Sequence, residues 1–175
     1  EQASNQDEFE RLREELSERV EAQKDQTEKA LLAQAILPIG EQQYRAQDYM
    51  GARHTYQRAL ALDANNPILH YRIGYVYAQL DEFENARDSW QQALRLDDEF
   101  AAAQAALGYA YQVIGERMSD LNERDLMFTR AESELLQALM NTPRLLDEDG
   151  ESWWLAIGDL YAKRGQVEQA IRAYE

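Results

Sequence analysis

The sequence predicts an all-α solenoid of stacked helical hairpins preceded by an amphipathic helix, and three observations support this. Gly40, Gly74 and Gly108 stand 34 residues apart, the period of an array of helix–turn–helix units. Pro67 to Phe100 reads as two amphipathic helices about a short acidic turn. Small residues (Gly74, Ala78, Ala86, Ala93) stand where the two must touch, and Ile73, Tyr77, Phe83, Trp90 and Leu94 fill the space between. A lone hairpin of this size cannot bury both its faces, so it needs neighbours of the same kind.

The central segment resembles a tetratricopeptide repeat (TPR) in Ile73-Gly74, Tyr77, Ala86, Trp90 and Ala93-Leu94. The preceding copy has Ile39-Gly40, Ala52, Tyr56 and Ala59-Leu60, departing with Gln43 for the expected Tyr and with Pro38 inside its first helix. The following copy has Leu107-Gly108, Tyr111, Ala131, Leu135, Ala138-Leu139 and Pro143; a fourth has Trp154, Ile157-Gly158, Tyr161, Gly165, Ala170 and Tyr174. The resemblance covers roughly residues 33–175. It implies a right-handed TPR-type α-solenoid with repeats at about 33–66, 67–100, 101–145 and 151–175, and an interaction scaffold whose target is not specified.

Along the chain, residues 1–6 read as a disordered lead-in and 7–32 as an amphipathic helix, with Asp7 and Glu10 spaced as a capping box. Phe9, Leu12, Leu16 and Val20 form one stripe, which then meets the polar Gln23 and Thr27, so a coiled-coil seam is not sustained. The stripe is a candidate for self-association, for packing on the first repeat, or for docking in a groove. Asp25 or Thr27 offers a cap for a second helix, and Pro38, lacking an amide proton, predicts a kink or a fresh start. The next helix spans about Tyr49 to Leu62 and is broken by Asp63 to Asn66.

Two insertions depart from the period. Ala52 to Ala86 is 34 residues but Ala86 to Ala131 is 45, which places 11 extra residues around Met118–Phe128. Leu121, Leu126 and Met127 make an ordered helical extension the expectation there. Ala131 to Ala170 is 39, placing 5 more near Leu146–Gly150. The acidic run Asp147 to Glu151 lacks the ligand spacing of a calcium loop and reads as a solvated linker. The last helix stops at Glu175 without a polar-faced capping helix, which predicts a longer protein or an end covered by another molecule.

Net charge is −15, from 33 acidic and 18 basic residues. Such a chain repels phosphate backbones and anionic headgroups, so nucleic acid is not an expected partner; the acidity serves solubility or attracts a basic segment. No apolar run approaches the ~20 residues of a membrane span, and cysteine is absent, leaving the redox compartment open. A soluble, cytoplasmic protein is the expectation.

The two histidines, His54 and His70, share no face with a carboxylate set, and His70 reads as a packing residue. No phosphate loop, nucleophile elbow or paired-His zinc motif appears, so no enzyme, metal or cofactor is expected. By the resemblance, the first helices line a concave side on which Leu37, Glu41, Tyr44, Ile68, Tyr71, Tyr75, Tyr109, Gln112 and Asp159 face outward. The family's carboxylate clamp is not implied: Leu37, Glu41 and Ala102 stand at most of its positions, and only Arg72 matches in charge. Tyrosine joins a large apolar body to a hydroxyl, which suits a groove for an apolar or amphipathic protein segment, basic in one version of the expectation, during complex assembly. The alternative is an oligomerisation module, such as a homodimer, built on Phe9, Leu12, Leu16 and Val20.

Overall fold

The computed structural model describes residues 2–175, with side chains from Arg11 onward. Eight helices follow one another: α1 (Gln2–Arg45), α2 (Tyr49–Leu62), α3 (Pro67–Gln79), α4 (Phe83–Leu96), α5 (Ala101–Arg117), α6 (Leu121–Asn141), α7 (Trp153–Lys163) and α8 (Val167–Tyr174). They pack as successive antiparallel hairpins, α1 with α2, α3 with α4, α5 with α6 and α7 with α8, each hairpin lying on the next.

The hairpin turns share one construction. The chain passes through a single left-handed residue at Gln47 (φ 61°), Asp81 (φ 64°) and Gly165 (φ 73°). The amide after it then reaches back five residues: Asp48 to Gln43 O, Glu82 to Tyr77 O and Gln166 to Tyr161 O, each at 2.9 Å. This bond satisfies a carbonyl that the end of the helix leaves free. The third hairpin departs from the pattern. There α5 runs on to Arg117, and α6 starts at Leu121 under the cap of Asp120, whose carboxylate accepts the amides of Asn122 and Glu123 at 2.9 Å. The inserted residues have become extra helical turns rather than a loose loop.

Within each hairpin a large side chain of the outer helix enters where the inner helix has no Cβ. Trp90 is fully buried, and a Cβ added at Gly74 would lie 2.7 Å from its Cδ1 and Cε2. The indole cannot retreat, because its Nε1 donates to Tyr71 O at 3.1 Å in a buried bond. Around this contact Ala86 and Ala93 are fully buried and Ile73 and Phe83 nearly so.

The helix α1 corrects two expectations and narrows a third. Residues 2–6, expected as a lead-in, are already helical; no second helix starts at Asp25 or Thr27; and Pro38 lies inside the helix without a fresh start, one of the two outcomes expected there. The capping side chains are spent within the helix instead. Asp25 pairs with Lys29 one turn on at 2.6 Å, and Thr27 Oγ1 donates to Gln23 O at 2.8 Å. The one amide missing at Pro38 is bracketed by Ala33 and Gly40, both buried against the array. The Phe9 side chain lies outside the described residues.

Gly74→Ala should lower stability by about 1–3 kcal/mol, because neither helix nor indole can move aside without losing contacts. A urea-unfolding midpoint that does not fall would refute the interlock.

Candidate functional site in the concave face

Helices α1, α3, α5 and α7 present one face each to a common groove, which opens into two adjoining cavities of about 430 and 290 Å³. Tyr44, Tyr75 and Gln79 line both. Glu41 and Arg72 belong to the larger, whereas Tyr109, Gln112, Trp153, Leu155 and Asp159 belong to the smaller. The rings interlock, Tyr75 edge to face with Trp90 at 5.2 Å and Tyr109 tilted against Trp153 at 6.3 Å.

The acidic segment between α6 and α7 is solvent-exposed along most of its length, yet it is an ordered turn that reaches the groove lining. Asp147 organises it, its Oδ1 accepting the amides of Asp149 at 2.9 Å and Glu151 at 2.8 Å. Gly150 completes the turn at φ 84°. Glu148 then reaches Arg72 of α3, accepting from its guanidinium at 2.5 Å, while Glu41 of α1 lies 3.2 Å from the same guanidinium. One cation thus ties the first inner helix, the second and the strap together. Burial opposes the charge on Arg72, but Glu148 and then Glu41 outweigh it and hold its pKa above the ordinary arginine value.

Burial leaves polar groups of the groove unpaired. Four buried side-chain atoms lack a partner among the described residues: Arg72 Nε, Gln112 Oε1, Trp153 Nε1 and Gln166 Oε1. The residues that carry the first three line the two cavities. An unpaired buried donor or acceptor costs roughly 1–3 kcal/mol. Burial pushes the Tyr44 phenol up to about 12, and raises those of Tyr75 and Tyr109 as well, so these hydroxyls stay protonated near neutrality.

Of the nine groove residues expected from the sequence, Glu41, Tyr44, Tyr75, Tyr109, Gln112 and Asp159 line the cavities. Tyr71 does not: it is 6 % exposed and stacks on Phe100 at 4.8 Å, beneath Tyr75. Leu37 packs into the first core cluster, beside Tyr56 and Ile73. Ile68, 47 % exposed, lies outside both cavities. Asp159 is already engaged, accepting from the Tyr174 hydroxyl at 2.5 Å. Sequence reasoning missed Trp153 and the strap. Trp153 is buried, whereas Trp154, which the repeat pattern picks out, is half-buried. Away from the groove, Leu12, Leu16 and Val20 are 52–67 % exposed. His70 is half-buried with Nε2 at 2.9 Å from Ala64 O, and His54 is exposed.

Glu148→Gln should speed amide exchange at Asp149 and Glu151 about tenfold while global stability changes by less than ~1 kcal/mol, as expected for a partly exposed pair. Unchanged exchange would mean the Asp147 turn alone holds the strap. The raised phenol values carry a sign. Folded tyrosines keep protons that unfolded ones release above pH ~10, so their stabilisation is complete below that pH and is lost as pH climbs towards about 12. Urea midpoints measured from pH 9 to 12 should fall, and Tyr44→Phe should flatten the fall.

The TPR repeat family model matches residues 40–81 and 74–115. A thermophilic TPR protein of Thermus thermophilus superposes with a TM-score of 0.72 at 21 % identity, over 81 % of this chain and 70 % of that one. The crystal structure of MamA gives 0.65 at 20 % identity, over 81 % and 74 %. The second TPR of Spaghetti, solved with an HSP90 peptide, gives 0.52 at 26 % identity, over 62 % and 95 %. No curated protein matches the chain by sequence. Among the described residues no helix is long and apolar enough to cross a membrane, and no group of three or more His, Cys, Asp or Glu is arranged to hold a metal.

Proposed function

We propose, from the premise that this chain carries tetratricopeptide repeats in a TPR-type solenoid, that it is a non-catalytic scaffold holding a protein segment in its concave groove during assembly of a larger complex. One observation carries the reading: Arg72, Gln112 and Trp153, which own three of the four unpaired buried polar atoms among the described residues, all line this one groove beside Tyr75 and Tyr109. Gln112 Oε1 seeks a donor, whereas Trp153 Nε1 and Arg72 Nε seek acceptors. Between them the faces of Tyr75 and Tyr109 offer apolar area, and Glu41, Glu148, Asp149 and Asp159 set a negative rim. That combination favours an amphipathic helical segment with basic flanks over an acidic one.

Peptides selected from a displayed random library against the intact chain should be amphipathic and basic. Their affinity should fall at least about tenfold for Tyr109→Ala and for Gln112→Ala, a loss of ~1.4 kcal/mol. Acidic winners, or affinities unmoved by both substitutions, would overturn the groove reading. A second reading, an oligomerisation module through Phe9, Leu12, Leu16 and Val20, is favoured by the exposure of the last three.

A further inference from the structure

Among the described residues, the stretch of α1 from 11 to 32 packs against little of its own chain. From Arg11 to Leu32 every side chain is exposed except the half-buried Ala30, and burial begins only at Ala33. Its surface is nevertheless sorted. With ~100° per residue, Leu12, Gln23, Leu16, Thr27 and Val20 fall in one stripe less than a quarter-turn wide. Arg19 borders the stripe on one side, and Arg13 and Lys24 border it on the other. Glu14, Glu18, Glu21, Asp25 and Glu28 lie on the far face, leaving Glu15 as the one acid nearer the stripe. A helix solvated on all sides has no need of this order.

The groove has the complementary order, apolar rings inside and carboxylates around them. The dimensions agree too. Arg11 to Lys29 is ~27 Å of helix at 1.5 Å per residue, and four inner helices ~9 Å apart span about the same distance. The chain's own groove is closed to this helix. The helix α1 runs unbroken to Arg45, and its far end, at Glu41 and Tyr44, is already a wall of that groove.

We infer that the groove of one copy receives the segment Arg11–Lys29 of a second copy, with Leu12, Leu16 and Val20 towards the aromatic rings and Arg13, Arg19 and Lys24 on the carboxylates. The inference rests on the groove reading and names its occupant. Each copy offers one helix and one groove, so the contact is heterologous; it closes as a reciprocal pair or propagates as a chain of copies.

The absence of cysteine makes the test direct. Leu16→Cys and Tyr109→Cys chains, mixed under mild oxidation, should form a 16–109 cross-link. Leu16→Cys mixed with Arg58→Cys, an exposed residue on the outer helix α2, should not. In light scattering, Leu16→Glu, at a position too exposed to threaten folding, should raise the dissociation constant at least tenfold. A 16–16 cross-link in preference to 16–109 would overturn the inference in favour of paired helices. A monomer at every concentration would overturn it as well. If that monomer still binds basic library peptides through Tyr109, the groove reading survives; if it binds none, both fall.

Discussion

The array depends on how closely a bulky outer-helix side chain can approach an inner-helix glycine. Tyr56 meets Gly40, Trp90 meets Gly74 and Tyr174 meets Gly158 so closely that a Cβ at any of the three would overlap the ring. Tyr56 and Trp90 are buried and fill their hairpins from within, so the neighbouring contacts need only small residues, and Ala52, Ala86 and Ala93 are fully buried. In the third hairpin Leu135 takes the aromatic place against Gly108. There α5, packed by α4, α6 and α7, buries residues on nearly every side. A helix in that position must be largely apolar, and its run of alanines supplies most of this without crowding, with Gln104 and Gln112 as the buried polar exceptions.

Filling the hairpins from the inside has a consequence for the concave face. The rings of Tyr75 and Tyr109 stand on the edges of buried Trp90 and Phe83 and have no further layer above them. The strap supplies part of a cover, but an acidic one, held by Arg72 and by its own turn rather than by apolar contact. Its closure over the larger cavity therefore rests mainly on one partly exposed ion pair. A partner able to compete for Arg72, or to satisfy Gln112 and Trp153 beside the strap, faces a barrier set by that pair and not by a core.

How much of this was legible depended on the range of the interaction. The glycine period, the alanines and the helical nature of the Met118–Phe128 insertion are local patterns, and they read correctly. The second helix expected at Asp25 or Thr27 does not form because these residues act equally well as caps and as one-turn partners inside a helix; only packing beyond Ala33 decides between these roles. Tyr71 and Tyr75 lie one turn apart and look equivalent in sequence, yet Phe100, on the next connection, covers one and not the other. The Arg72–Glu148 pair joins positions 76 residues apart. No periodicity encodes such a pair, and the strap that carries it falls within an insertion, where the repeat pattern is silent.

The charge distribution draws these threads together. A net charge of −15 spread evenly would serve only solubility. Here it is uneven. Residues 11–29 carry five basic residues against six acidic ones, while the groove lining holds only Arg45 and Arg72 among many carboxylates. Arg72 is already consumed by Glu41 and Glu148, so the field that an entering segment meets is negative. Cations on that segment lower its energy only if they reach the carboxylates while its apolar side meets the rings, which requires them at the border of the stripe and not opposite it. Arg13, Arg19 and Lys24 have that placement and the acids of the same helix largely avoid it, so the sorting of α1 and the lining of the groove answer the same electrostatic problem from opposite sides.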